Sequence, residues 1–346
     1  MNIEVIDLFC GIGGLTYGLN KSGLKVKAGF DIDESCKYAY EYNNKAQFIC
    51  KDIKKITGRE IINLYSKDSI KVLAGCAPCQ PFSLMSSKYH KNGRDNDSRY
   101  DLLLEFGRLI QEVQPDIVSM ENVPIIEKTT IFKSFLETLT INGYLSDFRI
   151  VHCPNYGIPQ NRKRFVLLAS KLNKIHLLKP THKKENYITV RDTIGHLPAI
   201  QSGELNKDDI LHQTAKLSDI NLKRIQHSKP GGTWKDWPQD LRCKCHQKAT
   251  GDSFTSVYGR MNWDTVSPTI TTQFYCYGTG RYGHPEQNRA LTLREGALLQ
   301  TFPEDYKFLE DGKTLVLKVI ARAIGNAVPV KLGEVIGKSI LNHINI

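Results

Sequence analysis

Asp7-Leu8-Phe9-Cys10-Gly11-Ile12-Gly13-Gly14-Leu15 is the stretch that decides the fold. The apolar run from Ile3 to Phe9 reads as a buried strand, and the glycines at 11, 13 and 14 make the turn that carries it into a helix. Glycine lets the backbone come close to a ligand, and the first turn of the helix aims its N–H groups at that ligand. A second run, Leu24 to Phe30, ends at Asp31, about 20 residues past the turn, where an acid can take two ribose hydroxyls. The pattern is not the dinucleotide fingerprint, because Thr16 stands where the third glycine belongs, and a nucleoside with less phosphate fits better. By itself, a turn of this kind also serves any tight strand-to-helix connection.

Outward from this turn the β-and-α rhythm continues. Val72 to Gly75 and Ile117 to Met120 read as buried strands, and Tyr100 to Val113 as a helix. In that helix Leu102, Phe106, Leu109 and Val113 share a face flanked by Leu103 and Ile110, Ser98 is the N-cap and Pro115 the stop. Phe148 to Cys153 and Phe165 to Ala169 bring the sheet to about six or seven strands, mostly parallel because helices separate them. The expected class is α/β, a Rossmann-like mixed, mostly parallel sheet. After Lys171 the rhythm is lost, and Lys229 to Trp234 and Tyr275 to His284 read as irregular loops rich in Gly, Pro and aromatics. Helical pattern returns at Arg294 to Gln300, and Val319 onward reads as one more helix after a break at Gly325 to Pro329. The expected division is a first domain of 1–185 with 305–346, and a smaller irregular second domain of 186–304.

The 346 residues carry 47 Lys+Arg against 36 Asp+Glu, a net charge of +11, with 40% hydrophobic and 24% charged residues. That composition excludes a disordered chain. No apolar run approaches the ~20 residues of a membrane span, and Met1-Asn2-Ile3-Glu4 is not a secretory leader, so no membrane association and a cytoplasmic location are expected. Nine cysteines in so long a chain read as reduced thiols. The positive excess favours a polyanionic partner.

Gly75-Cys76-Ala77-Pro78-Cys79-Gln80-Pro81-Phe82-Ser83 follows a strand and sets a cysteine between two prolines in a stiff loop. Cys76 and Cys79 form a C-x-x-C, but neither a second zinc-spaced pair nor a thioredoxin-like context accompanies it. The placement suits an exposed nucleophile that works as a thiolate. Met120-Glu121-Asn122-Val123-Pro124 brings an acid to the same sheet edge, and Gln160-Asn161-Arg162-Lys163-Arg164-Phe165 opens a later strand whose alternation puts Arg162 and Arg164 on one face. Taken singly, the acid and the arginines also read as a surface ion network.

These residues together resemble the cytosine-C5 DNA methyltransferase family. The resemblance rests on Asp7 to Gly14, Gly75 to Ser83, Asp97-Ser98-Arg99, Glu121-Asn122-Val123, Gln160 to Arg164, Leu291 to Pro303 and Gly325 to Val330, in that order. It implies transfer of a methyl group from S-adenosylmethionine to carbon 5 of a cytosine flipped out of double-stranded DNA. By family position Cys79 attacks carbon 6, Glu121 binds or protonates ring N3 and holds the exocyclic amine, Arg164 contacts O2, Arg162 supports the loop, and Asn122 anchors the cysteine loop. For the cofactor, Phe9 stacks on the adenine, Gly11, Ile12, Gly13 and Gly14 meet the methionine part, and Asp31 with Ile32 meets the ribose. Asp52 and Ile53 make the adenine-edge contact, Pro78 and Leu102 complete the set, and Asn326 closes the pocket. Many members carry Glu at the place of Asp31 and an aromatic at that of Ile32. The polar segment Ser83 to Arg99 corresponds to the loop that closes over DNA.

His227 to Trp237 and Tyr258 to Trp263 mix basic, aromatic and glycine residues as a groove reader does, and Thr269-Ile270-Thr271-Thr272 resembles the end of a target-recognition domain. Cys243-x-Cys245-His246 is tightly spaced for zinc and shows no evident fourth ligand, although Cys276 or His284 can fold back; ordinary loop cysteines, and no metal, are expected. A tRNA cytosine-C5 methyltransferase of the same family is the nearest rival reading. The Cys-Phe-Thr that its members carry after Glu-Asn-Val is replaced here by Pro124-Ile125-Ile126-Glu127. A catalytically idle DNA binder has no need of Cys79, Glu121, Arg162 and Arg164 together, and a nicotinamide oxidoreductase lacks its third glycine. By resemblance, the setting is a monomeric enzyme of a bacterial restriction-modification system with a cognate endonuclease.

Overall fold

The computed structural model of the chain describes residues 2–78, 101–248, 251 and 255–345. β1 (Ile3–Leu8), α1 (Gly14–Ser22), β2 (Lys25–Asp31), α2 (Lys37–Asn44), β3 (Gln47–Cys50), α3 (Gly58–Ile62), β4 (Ile70–Gly75), α4 (Asp101–Val113), β5 (Ile117–Asn122), α5 (Thr130–Ile141), β6 (Leu145–His152) and β7 (Lys163–Ser170) follow one another. Among the described residues the seven strands form one sheet in the order β3-β2-β1-β4-β5-β7-β6. β1 to β5 pair in parallel, and β7 runs antiparallel to both β5 and β6. This is the mixed, mostly parallel sheet read from the sequence. The carboxyl ends of β1, β2, β4 and β5 share one edge, which is where such sheets bind ligands.

Five apolar side chains of α4 face the sheet: Leu103, Phe106, Leu109, Ile110 and Val113 are buried, Leu102 is half-buried, and Leu104 faces outward. Each fully buried side chain contributes about 1.5–3 kcal/mol. Ser98 and Tyr100, read as the start of this helix, lie outside the described residues. On the adjoining stretch of core, Phe132 packs edge-on against Phe148 and Phe165 at 5.4 and 4.9 Å.

The chain divides into two compact units, Met1–Tyr156 with Lys163–Thr181 and Ala327–Ile346, and Gly157–Arg162 with His182–Asn326. The division falls at 181/182 and 326/327 instead of the expected 185/186 and 304/305. On the carboxyl side the reason is local: α8 (Leu293–Leu299) packs against α9 (Leu317–Asn326), and Gly325 lies so close to Thr271 that a Cβ would stand 2.4 Å from its carbonyl carbon. The break read at Gly325 to Pro329 separates two helices, α9 and α10 (Val330–Ile344), because Pro329 takes extended backbone and offers no N–H. α10 returns to the first unit against α1. A Cβ on Gly18 would lie 2.2 Å from the Val330 carbonyl oxygen, so only glycine permits this approach.

The second unit holds α6 (Val190–Ile194), α7 (Asp219–His227), α8 and α9, and α7 packs through Ile225 into a small aromatic core of Trp234, Trp237 and Tyr277 with Leu241 and Ala290. Buried arginines organise its irregular backbone. Arg260 donates to the carbonyls of His284, Gln287 and Ile225 and to Asn288 Oδ1. Arg289 pairs with both oxygens of buried Glu295 at 2.7 and 2.9 Å, and that carboxylate also accepts from Thr292 N. No helix among the described residues is long and apolar enough to cross a membrane.

Candidate active site

The glycine turn at the end of β1 is built as its composition demands. Gly11 and Gly13 have φ of +50° and +87°, and Gly13 starts α1 in the left-handed region with no side-chain cap, leaving the helix N–H groups to a ligand. Phe9 also has positive φ, 61°, an uncommon backbone for a bulky residue that turns the chain sharply out of the strand. A Cβ at Gly11 would meet nothing within 4 Å, so the turn faces open space.

Two acids lie under this turn. Asp31, at the end of β2, accepts from Gly11 N at 2.8 Å and from Asp33 N at 3.0 Å, one bond on each oxygen, and each oxygen keeps lone-pair capacity. Burial raises its pKa against those bonds. Asp7 is fully buried; its Oδ2 accepts from Thr16 Oγ1 at 2.6 Å, and its Oδ1 has no hydrogen-bond partner among the described residues. Burial pushes its carboxyl up to about 7, the Thr16 hydroxyl opposing and the Asp31 charge adding to the rise. Sequence reading took Asp7 only as the lead-in to the glycines. Its significance comes from burial, which no spacing rule reveals.

Beside Asp31, Ile32 is 71% exposed, an apolar surface beyond the acid, while Phe9 is half-buried against the core. Asp52 caps the turn Ile53–Lys55 by accepting from Lys54 N at 3.0 Å, and Ile53 is buried. Pro78 is exposed and Leu102 half-buried. Asn326 ends α9 in the second unit and is exposed.

At the next strand ends stands Glu121, 2% exposed, the fifth residue of β5. Its Oε1 lies 2.8 Å from Arg164 Nε on β7, the strand paired with β5, and its Oε2 accepts from the Cys76 thiol at 2.7 Å. The Arg164 N–H is not aligned on Oε1, so this buried oxygen takes no aligned hydrogen bond among the described residues. Asn122 donates from Nδ2 to the Ala77 carbonyl at 3.2 Å and fastens the loop leaving β4 two residues before Cys79. Cys79 and the segment Ser83 to Arg99 lie outside the described residues.

Cys76 is the residue that sequence reading missed. It counted as half of a C-x-x-C, whereas the structure sets its thiol on the Glu121 carboxylate, 45 positions away. Arg162 and Arg164 also separate. Arg162 precedes β7, is 3% exposed, and donates through Nη1 to the Ile270 carbonyl at 3.1 Å and to Gln160 Oε1 at 3.4 Å within the second unit. Gln160 continues that network to the Leu299 carbonyl, Gln300 and Ile270 N. The strand alternation expected for the two arginines fails because β7 begins only at Lys163.

The second unit carries an open cleft of about 450 Å³ lined by Arg191, Gln226, Pro230, Trp263, Glu286 and Asn288 among others. Elsewhere in the second unit Cys243, Cys245 and His246 come together, whereas Cys276 and His284 do not join them.

Such a glycine turn, with a buried acid–arginine pair at the same edge of one mixed sheet, is the architecture of a methyltransferase fold. The family of C-5 cytosine-specific DNA methylases matches residues 3–342. The chain is 55% identical over 339 residues to the Type II methylase M.HgiDII of Herpetosiphon aurantiacus, covering 97% of this chain and 94% of that protein. It is 31% identical over 346 residues to the Type II methyltransferase M1.HphI of Haemophilus parahaemolyticus, covering 99% and 87%. Its fold matches the crystal structure of an E. coli prophage-encoded protein described as a DNA modification methyltransferase, with a TM-score of 0.76 at 23% identity over the whole of both chains. The chain belongs to the C-5 cytosine-specific DNA methylase family and is a cytosine-C5 DNA methyltransferase.

Proposed function

We propose that this enzyme methylates carbon 5 of a cytosine flipped out of a specific duplex DNA sequence, with S-adenosylmethionine as donor, as the modification enzyme of a restriction-modification system. The observation that carries the reading is the buried Glu121 carboxylate, flanked by Arg164 and Cys76, with one oxygen still short of an aligned donor. The Type II relatives at 55% and 31% identity support the restriction-modification setting, in which the chain acts as a cytoplasmic monomer beside a cognate endonuclease.

Carbon 5 of cytosine is a poor nucleophile until something adds at carbon 6. The Cys79 thiolate forms the bond to carbon 6, and the electron pair of the 5,6 double bond moves to carbon 5. Glu121 binds N3 and the exocyclic amine and delivers a proton to N3 as negative charge builds there. Arg164, fixed against Glu121, contacts O2. After methyl transfer a water molecule takes the carbon 5 proton, N3 returns its proton to Glu121, the 5,6 double bond reforms and the thiolate is expelled. Asn122 keeps the cysteine loop in place through the Ala77 carbonyl. Arg162 supports this geometry through its bonds to Ile270 and Gln160.

S-adenosylmethionine, when bound, supplies an electrophilic methyl group on a positively charged sulfonium. The residues present fit such a group: the orphaned acceptor of Asp7 and the carboxylate of Asp31 make the turn's floor acidic, Gly11 leaves it open, and Ile32 offers apolar surface to a nucleobase. Phe9, Asp52, Ile53, Pro78, Leu102 and Asn326 complete the proposed cofactor set. The second unit is the target-recognition part, and its cleft carries Arg191, Gln226 and Asn288, side chains of the types that read base edges.

The test is incubation with tritiated S-adenosylmethionine and either duplex DNA or tRNA. Label is expected in duplex alone, as 5-methylcytosine at one recurring sequence. Label in tRNA alone moves the chain to the RNA-modifying branch, and no label in either overturns the proposal.

A further inference from the structure

The turn Cys243-Lys244-Cys245-His246 lies against the aromatic core of the second unit, and no step of methyl transfer uses it. The two sulfurs and an imidazole nitrogen lie within 4.8 Å of one another. We infer that Cys243, Cys245 and His246 are the ligands of a zinc ion that pins this turn to the second unit. Two thiolates and an imidazole form a soft donor set that suits zinc and excludes magnesium and calcium, which take oxygen. With zinc–sulfur bonds of about 2.3 Å, ligands of a tetrahedral site stand roughly 3.7 Å apart, so closure on the ion needs a contraction of about 1 Å.

The surroundings are built to hold the three ligands. His246 N donates to the Cys243 carbonyl at 2.9 Å, closing the turn that faces the two side chains together. A Cβ at Gly251 would come 2.3 Å from the Cys245 carbonyl oxygen and 2.7 Å from His246 Cα, so only glycine allows the chain to pass there. The His246 ring stacks on Trp234, centroids 4.3 Å apart and 18° from parallel, and its Nδ1 is sealed from solvent with no hydrogen-bond partner among the described residues. An unmet buried nitrogen costs about 1–3 kcal/mol, which a metal bond offsets.

Tyr258 sits at φ 53°, in the region that bulky residues avoid, and there its ring meets His246 edge-on at 6.0 Å. Outer partners of this kind orient metal ligands, and the strained backbone persists because packing over-determines it. Arg224 lies over the Trp237 and Tyr258 rings and Arg242 over Trp234, which fixes the aromatic wall beside the turn. The two fourth ligands considered from sequence are placed elsewhere. His284 Nδ1 accepts from Glu286 N and Gln287 N, and Cys276 stands apart from the cluster. Solvent takes the fourth position.

The test is metal analysis of the full chain purified under reducing conditions and loaded with zinc, then dialysed. About one zinc per chain is expected, falling below about a tenth in Cys243→Ser and Cys245→Ser and unchanged in Cys276→Ser. Because either variant can misfold, the unmodified chain is also alkylated with and without zinc, where protection confined to Cys243 and Cys245 is expected. Cobalt in place of zinc is expected to show tetrahedral d–d bands with thiolate charge transfer. Less than about a tenth of an equivalent after loading, full metal content in Cys243→Ser, or a Cys243–Cys245 disulfide in place of bound metal overturns the inference.

Discussion

Glu121→Gln keeps the side chain's shape and removes its charge. The Cys76 thiol donates to one oxygen at 2.7 Å, and Arg164 Nε stands 2.8 Å from the other as its ion-pair partner. An amide has one acceptor, so its NH₂ must face one of those partners; losing that contact at a site 2% exposed costs about 1–3 kcal/mol of stability. The catalytic loss is larger. Proton delivery at N3 contributes about 10²–10⁴-fold, or roughly 2.7–5.4 kcal/mol of barrier at 1.36 kcal/mol per decade. Single-turnover methyl transfer at saturating duplex is therefore expected to slow by about 10²–10⁴-fold, with DNA affinity kept and Tm lowered by only a few degrees. Cys76→Ala, which leaves the carboxylate intact, is expected to stay within about tenfold of the unaltered rate. A Glu121→Gln enzyme within about tenfold of the unaltered rate refutes the role given to Glu121.

Asp7 and Gly18 give stability predictions of opposite sign to common expectation. Because burial raises the Asp7 carboxyl from 3.8 to about 7, its contribution is neutral below the lower value, turns destabilising as pH rises between the two, and is constant above about 7. At 1.36 kcal/mol per unit this amounts to at most about 4 kcal/mol, so Asp7→Asn is expected to raise Tm at about pH 8.5 and to do so much less at about pH 5. Equal shifts at both pH values contradict the buried-acid account. Gly18→Ala ordinarily strengthens a helix by about 1 kcal/mol; here the new Cβ meets the Val330 carbonyl at 2.2 Å, and denaturant unfolding is expected to show a net loss of about 1–3 kcal/mol. A raised midpoint contradicts the close packing of α1 on α10.

The sheet was legible because its signals are local. The glycine turn, the apolar runs and the face of α4 each lie within a few residues of one another. β3 escaped notice because only Phe48 of its four residues is buried, too short a pattern to stand out. The break between α9 and α10 was visible at Pro329, but the start of α9 at Leu317 was not. At the site, Glu121 and Arg164 were legible as residue types, and their pairing became certain only with the antiparallel register of β5 on β7. The thiol of Cys76 on Glu121, the orphaned oxygen of Asp7 and the anchoring of Arg162 by Ile270 are all long-range contacts, which no periodicity encodes.

Cys79 is the proposed nucleophile, and a duplex library carrying 5-fluorocytosine tests that role directly. Fluorine at carbon 5 cannot leave as the proton does, so the cysteine–carbon 6 bond persists after methyl transfer. Denaturing mass spectrometry after incubation with S-adenosylmethionine is expected to show one covalent adduct per chain, mapped to the peptide of Cys79 and confined to duplexes sharing one sequence. No adduct, or an adduct on Cys76, contradicts the mechanism.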